Sequence, residues 1–139
     1  MHETYPFYQS GSFVHLPVII SNPDTGLYLP VLGLVDTGAD CCVISRSLCE
    51  KLGHEFDGKL VKISTTSGIG GETLAYQHTF EIDLFNEAMS ESIWQSGAVP
   101  VDCIDGLNDD VPVLLGVRGF FESFSITVDY LKRQTFLRC

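Results

Sequence analysis

The stretch Leu32-Gly33-Leu34-Val35-Asp36-Thr37-Gly38-Ala39-Asp40-Cys41-Cys42-Val43-Ile44-Ser45 reads as an apolar run, a sharp polar turn and a second apolar run. A carboxylate at the end of a buried strand, followed by a small hydroxyl residue and a glycine, is pushed out at a backbone turn while apolar walls fix its position. Beside Leu34, Val35, Val43 and Ile44, Asp36 loses hydration unless hydrogen bonds replace it. Thr37 offers a hydroxyl and Gly38 a closely approaching backbone N–H. By itself, Asp-Thr-Gly is also ordinary surface-turn chemistry.

The chain contains its own control, because a second Asp24-Thr25-Gly26 lies in Ser21-Asn22-Pro23-Asp24-Thr25-Gly26-Leu27. That copy follows Asn and Pro instead of Leu and Val. Between Val18-Ile19-Ile20 and Leu29-Pro30-Val31-Leu32, Pro fixes φ and Gly accepts φ > 0, which is a hairpin turn. Asp24 is therefore expected to be structural and exposed.

Flanking residues thus separate two identical tripeptides, and those around Asp36 carry a resemblance. Leu34-Val35-Asp36-Thr37-Gly38-Ala39-Asp40 resembles the active-site loop of retropepsin-like aspartic proteases, the group that includes the retroviral proteases. Gly68-Ile69-Gly70-Gly71 is similar to the glycine-rich flap tip of that family, and Val113-Leu114-Leu115-Gly116 to its apolar-apolar-Gly segment behind the catalytic loop. The three matches occur in the family's order, and the resemblance they carry is taken over about residues 13 to 137.

Composition sets the frame. At 139 residues the chain is one domain, long enough for a core. A net charge of −10 argues against nucleic acid or an anionic membrane as the main partner. No segment approaches the roughly 20 apolar residues that span a bilayer, and Met1-His2-Glu3-Thr4-Tyr5 lacks the basic start and apolar stretch of a signal peptide. Five cysteines in no framework spacing fit a reducing compartment, so a cytoplasmic location is expected.

Along the chain, residues 1 to 11 hold Tyr5, Pro6, Phe7 and Tyr8 without clear period and are expected as an N-terminal arm or an edge, with the domain proper over 12–139. Ser12 to Ile20 and Leu27 to Val35 form the first hairpin, with Pro17 and Pro30 placing those points at edges or bulges. Ser45 to Gly53 begins with a good N-cap, spaces Leu48 and Leu52 at i,i+4 and closes on Gly, predicting a short helix.

Leu74, Tyr76, His78, Phe80, Ile82 and Leu84 then alternate with polar or small residues, predicting one long strand with one buried face. Val61, Ile63 and Thr65 form its partner. The tip between them, from Ser67 to Gly71, holds more glycine than a turn needs, which with the resemblance implies a flap that closes over extended peptide.

Residues 86 to 98 are weakly patterned and read as a loop or twisted edge, Val99 to Ile104 as a further strand, and 105 to 110 as an acidic loop. Val111 to Gly116 reads as a buried strand, Gly119 to Phe124 as a short helix, and Ser125 to Tyr130 with Gln134 to Leu137 as a last hairpin. The expected fold is mainly β: a closed, retropepsin-like barrel with a glycine-rich flap hairpin and one or two short helices.

The resemblance implies an aspartic endopeptidase, in which one carboxylate takes a proton from water while a second, protonated one serves the carbonyl oxygen. Like charges that close do not both ionise. Only Asp36 has the right surroundings, and the intervening strand holds Asp24 too far away. The expectation is a homodimer in which Asp36 of each subunit meets its two-fold mate over an extended polypeptide substrate.

Carried over from the family, Asp36, Thr37 and Gly38 are catalytic, with Thr37 bonding across the interface. Substrate contact is implied for Ala39, Asp40 and Leu115 and for the tip residues Ser67, Gly68, Ile69, Gly70 and Gly71. Asp40 is expected to meet substrate backbone or an arginine, Arg118 being the candidate. The family commonly places Arg directly after the Gly of its apolar-apolar-Gly segment, whereas Val117 intervenes here.

An alternative is a catalytically silent module of the same fold that holds extended peptides by strand addition. A metal site is the third reading, since Cys42, Cys49 and His54 are close in sequence and His78 could join them. No CxxC pair or HExxH spacing occurs, and Cys41, Cys42 and Cys49 fall on core elements, so neither metal nor cofactor is expected. Cys103 and Cys139 receive no role.

Overall fold

The computed structural model describes residues 1–68, 71–108 and 110–139. Ten strands carry the fold: β1 His2–Pro6, β2 His15–Ser21, β3 Tyr28–Val35, β4 Val43–Ser45, β5 Lys62–Gly68, β6 Gly71–Phe85, β7 Ser92–Ile104, β8 Val113–Leu115, β9 Ser125–Asp129 and β10 Gln134–Arg138. Among the described residues, helix is confined to α1, Arg46–Lys51, and a 3₁₀ turn at Phe121–Ser123. No helix among the described residues is long and apolar enough to cross a membrane.

Seven strands form one sheet in the order β2-β3-β8-β4-β7-β6-β5, and β2 also pairs with β6 through Val18–Ser21. That extra pairing closes six strands into a barrel and leaves β5 outside the ring. Its interior holds Leu16, Ile20, Ile44, Phe80, Ile82, Leu84, Val101 and Leu115, all buried. The expected mainly β, closed barrel with little helix is what the chain forms.

The first hairpin arises as expected, with β2 and β3 in register from His15↔Leu34 to Ser21↔Tyr28. In its turn the Asn22 side chain accepts from Asp24 N (2.9 Å) and donates to the Leu52 carbonyl (2.9 Å), while Gly26 takes φ +74°. Asp24 is exposed. The first Asp-Thr-Gly is thus a turn docked on the end of α1. That helix starts where Ser45 Oγ accepts from Leu48 N (3.2 Å) and ends before Gly53 at φ +92°.

In β6 the buried register holds from His78 to Leu84, but Tyr76 is only half-buried, Ala75 of the opposite face is fully buried, and Leu74 is 50% exposed. The reason is topological: β7 pairs with β6 only from Tyr76 onward, whereas β5 pairs along its whole N-terminal half, from Gln77 back to Gly71. Residues 64–68 and 71–75 therefore project beyond the barrel as a two-stranded arm that no third strand covers among the described residues.

One segment differs from the sequence reading. Residues 92 to 98, read as loop or twisted edge, are the first half of the 13-residue strand β7. Gly97 at φ +68° and a register shift opposite Glu81 and Asp83 mark a bulge there, where Ser96 Oγ accepts from Ile82 N (2.9 Å) in place of ladder geometry. The bulge breaks the alternation that would have revealed the strand.

Within residues 1–11, His2–Pro6 is an edge strand of a separate three-stranded sheet, β1-β10-β9, with Tyr5 fully buried and its hydroxyl donating to the Phe85 carbonyl (2.6 Å). A segment anchored this way is part of the folded body.

Candidate active site

Strand β3 delivers Asp36 into a loop fixed from both sides. Asp36 N donates to the Leu115 carbonyl (3.0 Å), tying the loop to β8, and the preceding Val35 N donates to the Val14 carbonyl (2.8 Å). Beyond the turn, Val117 N and Arg118 N donate to the carbonyls of Ala39 (3.0 Å) and Asp40 (2.8 Å). The loop is thus strapped by backbone bonds that do not depend on its side chains.

Gly116 makes this strapping sterically possible: a Cβ there would stand 2.2 Å from the Cys41 carbonyl oxygen. Its N–H reaches Cys42 Sγ (3.3 Å), and burial pushes the Cys42 thiol up to about 11. Gly33 lies beneath the loop, where an added Cβ would meet Leu115 Cδ1 at 2.8 Å.

Within the loop, Asp36 Oδ1 accepts from Gly38 N (3.1 Å), and the Asp36 carbonyl accepts from Ala39 N (3.0 Å). Asp36 is half-buried, and Thr37 and Gly38 are exposed beside it. The backbone N–H expected from Gly38 is therefore the donor that meets the carboxylate. Thr37 faces outward at the molecular surface.

Asp36 opens onto a cleft of about 1030 Å³. One wall is the loop itself, with Gly38, Ala39, Asp40 and Cys41. The opposite wall is the two-stranded arm, with Ser64, Thr65, Thr66, Gly71, Glu72 and Thr73, and the end is closed by Asp102, Ile104–Leu107 and Leu114. A smaller apolar hollow of about 270 Å³ lies elsewhere, between β2, β3 and Met89.

Of the expected site residues, the structure brings Asp36, Gly38, Ala39, Asp40 and Gly71 to this cleft. Ser67 and Gly68 pair through their backbone with Glu72 and Gly71 at the end of the arm. Ile69 and Gly70 lie outside the described residues. Leu115 does not line the cleft: it is fully buried under Gly33, and its contribution is the carbonyl that holds Asp36. Alternation along β8 turns Leu114, its neighbour, to the cleft instead.

Arg118 reaches Asp40 despite the intervening Val117, with Nη2 donating to Oδ2 at 2.9 Å. Val117 is itself exposed, so the extra residue is carried at the surface and Arg118 still arrives beside the loop.

The carboxylates at the closed end of the cleft, Asp102 and Asp105, also have partners. Asp102 Oδ2 accepts from Cys41 Sγ at 3.1 Å, and burial with this bond pushes the thiol up to about 12. Asp105 pairs with Arg46 at 3.1 Å. Sequence reasoning missed Asp102, although its signal was present: a lone polar residue between the apolar Val101 and Cys103 of a strand.

Comparisons with known proteins agree with this geometry. No curated protein matches the sequence. Among solved structures, the chain is similar to a retropepsin-like aspartic protease from Rickettsia conorii, with 18% identity, 99% of this chain and 98% of that chain covered, and a TM-score of 0.63. A family model described as aspartyl protease matches residues 17–118, from the first barrel strand to the arginine that pairs with Asp40. With that match across most of its length and a retropepsin-like fold around the loop, this chain belongs to the aspartyl protease family.

Proposed function

We propose that the protein is a homodimeric aspartic endopeptidase in which the Asp36 carboxylates of two subunits activate one water molecule. The observation that carries this reading is the partnering of carboxylates in the cleft. Asp40, Asp102 and Asp105 are engaged by Arg118, Cys41 and Arg46 respectively, whereas Asp36, on the strapped loop, accepts among the described residues from Gly38 N–H alone and faces open space; the remaining carboxylate of the lining, Glu72, sits on the arm opposite. Asp24, in the chain's other Asp-Thr-Gly, cannot supply the second carboxylate, since β3 separates it from Asp36 by eight residues, roughly 25 Å at about 3.3 Å each. The second carboxylate then comes from a second copy, across a two-fold axis that exposed Thr37 and Gly38 leave clear.

In that dimer the two carboxylates share one proton. The ionised one takes a proton from water as its oxygen attacks the peptide carbonyl carbon. The protonated one donates to the carbonyl oxygen, giving a tetrahedral gem-diol. Collapse returns a proton to the leaving nitrogen and breaks the C–N bond. The arm from β5 and β6 acts as the flap: its edges add an extended substrate by backbone hydrogen bonds, so recognition rests first on main-chain shape.

The test is cleavage of a diverse peptide mixture across acid to neutral pH at several protein concentrations. Native protein should show activity rising faster than linearly with concentration. Asp36→Asn should lose about 1000-fold or more in kcat/KM while remaining folded. Mixing the two should lower activity as the square of the native fraction, because only native pairs hold two ionisable carboxyls. A folded native protein that binds peptides without turnover would instead make it a silent peptide-binding module.

A further inference from the structure

Behind the cleft wall the fold gathers a second set of reactive side chains that peptide hydrolysis does not use. Cys49 comes from α1, His78 from β6 and Cys103 from β7, and two sulfur atoms and one ring nitrogen lie within 4.8 Å of one another. All three residues are buried, and both cysteines are free thiols. Cys103 directly follows Asp102, so strand alternation puts the carboxylate in the cleft and the sulfur behind it.

The surrounding hydrogen bonds decide which atoms are available. His78 Nε2 stands 2.9 Å from the Phe56 carbonyl oxygen, which only accepts, so Nε2 carries the hydrogen. In the neutral ring Nδ1 then keeps its lone pair. A carbonyl that fixes the tautomer from behind in this way is the usual support of a metal-bound imidazole. His54, whose ring centroid lies 4.6 Å from that of His78, is held alike by the Thr79 carbonyl at 2.8 Å.

Donor type and charge then select the ion. Two sulfurs and an imidazole suit Zn²⁺ and offer nothing to Ca²⁺ or Mg²⁺, which take oxygen ligands. A dication bound by two thiolates is neutral overall, so the buried position carries no net charge. We propose that Cys49, His78 and Cys103 form a zinc site, its fourth position taken by water or His54, that pins α1 to the strands behind the cleft. Binding takes up one Zn²⁺, releases one proton from each thiol to solvent and changes no oxidation state. Its role is to hold the wall that carries Asp102, independently of any proteolytic activity.

The full chain, reduced and stripped with chelator, is titrated with Co²⁺ and then Zn²⁺. One equivalent of Co²⁺ should give thiolate-to-metal charge-transfer absorption, and one equivalent of Zn²⁺ should abolish it. Zn²⁺ should slow alkylation of Cys49 and Cys103 by about tenfold or more, as expected when a thiolate is held by metal, and leave exposed Cys139 unchanged. Cys103→Ser should weaken Zn²⁺ binding about 100-fold or more, and Cys139→Ser should leave it as in the native chain. Because Cys103→Ser alters a buried position, the alkylation pattern of the native sequence decides independently. Absence of the charge-transfer band, or unchanged alkylation of Cys49 and Cys103 under excess Zn²⁺, would overturn the site.

Discussion

Two glycines and one ion pair set how firmly Asp36 is held, and they differ in weight. Gly116→Ala would drive a Cβ into the carbonyl oxygens of Cys41 and Ala39, at 2.2 and 2.9 Å, and backbone cannot yield as a flexible side chain can. We expect it to destabilise the fold by about 3 kcal/mol and to displace the loop, read as a lower urea midpoint together with lost peptide cleavage. Arg118→Ala should act far less. The pair with Asp40 is 60% and 81% exposed, so its loss should cost under about 1 kcal/mol by the same measurement, while the Arg118 N–H bond to the Asp40 carbonyl persists. Asp36 itself was legible because Leu34-Val35 before it and Val43-Ile44 after it differ so sharply from the flanks of Asp24. The pairing of Cys41 with Asp102 was not legible, and of Cys49, His78 and Cys103 the metal reading named only the first two, since each group joins residues from separate elements and leaves no spacing to read.

Elements whose partners lie nearby in sequence were readable, and those defined by distant pairing were not. The β2–β3 hairpin, α1 and the β5–β6 pair follow from local turn chemistry, capping and period. Strand β7 was half hidden by the Gly97 bulge and by Pro100, and β1 is a strand only because β10, at the other end of the chain, pairs with it from His2↔Arg138 to Pro6↔Gln134. Tyr5 shows how much that pairing matters, since its ring is fully buried and its hydroxyl bonds the end of β6. Tyr5→Ala should cost about 4 kcal/mol, and Tyr5→Phe about 1 kcal/mol, the first removing a buried ring and the second one hydrogen bond. Chemical denaturation of the two variants beside the native protein checks the ratio.

Over the whole molecule, buried ionisable groups set a pH window for stability. His15 and His78 are lowered from 6.5 by burial, so they stabilise the fold fully above that pH, and the contribution is lost as acid protonates them. Cys41 and Cys42 are raised from 9.0 to about 12 and about 11, so their contribution is complete below pH 9 and is lost as pH rises beyond it. Asp83, raised from 3.8 by burial, acts against the histidines in stronger acid. Thermal midpoints measured against pH should therefore form a plateau between about 6.5 and 9 and fall on both sides. The closed barrel and mainly β character were readable from strand spacing, whereas the β2–β6 pairing that closes it was not, because no local pattern marks a contact between Val18 and Leu84. The β1–β10 pairing also bears on synthesis. A ribosome delivers His2–Pro6 more than a hundred residues before Gln134–Arg138, so the small sheet cannot form and Tyr5 cannot seat until residues 134–138 have been made. Every nascent chain thus elongates through the barrel strands without this clasp, and any hydrolytic power that depends on the finished small sheet is withheld until β10 has emerged.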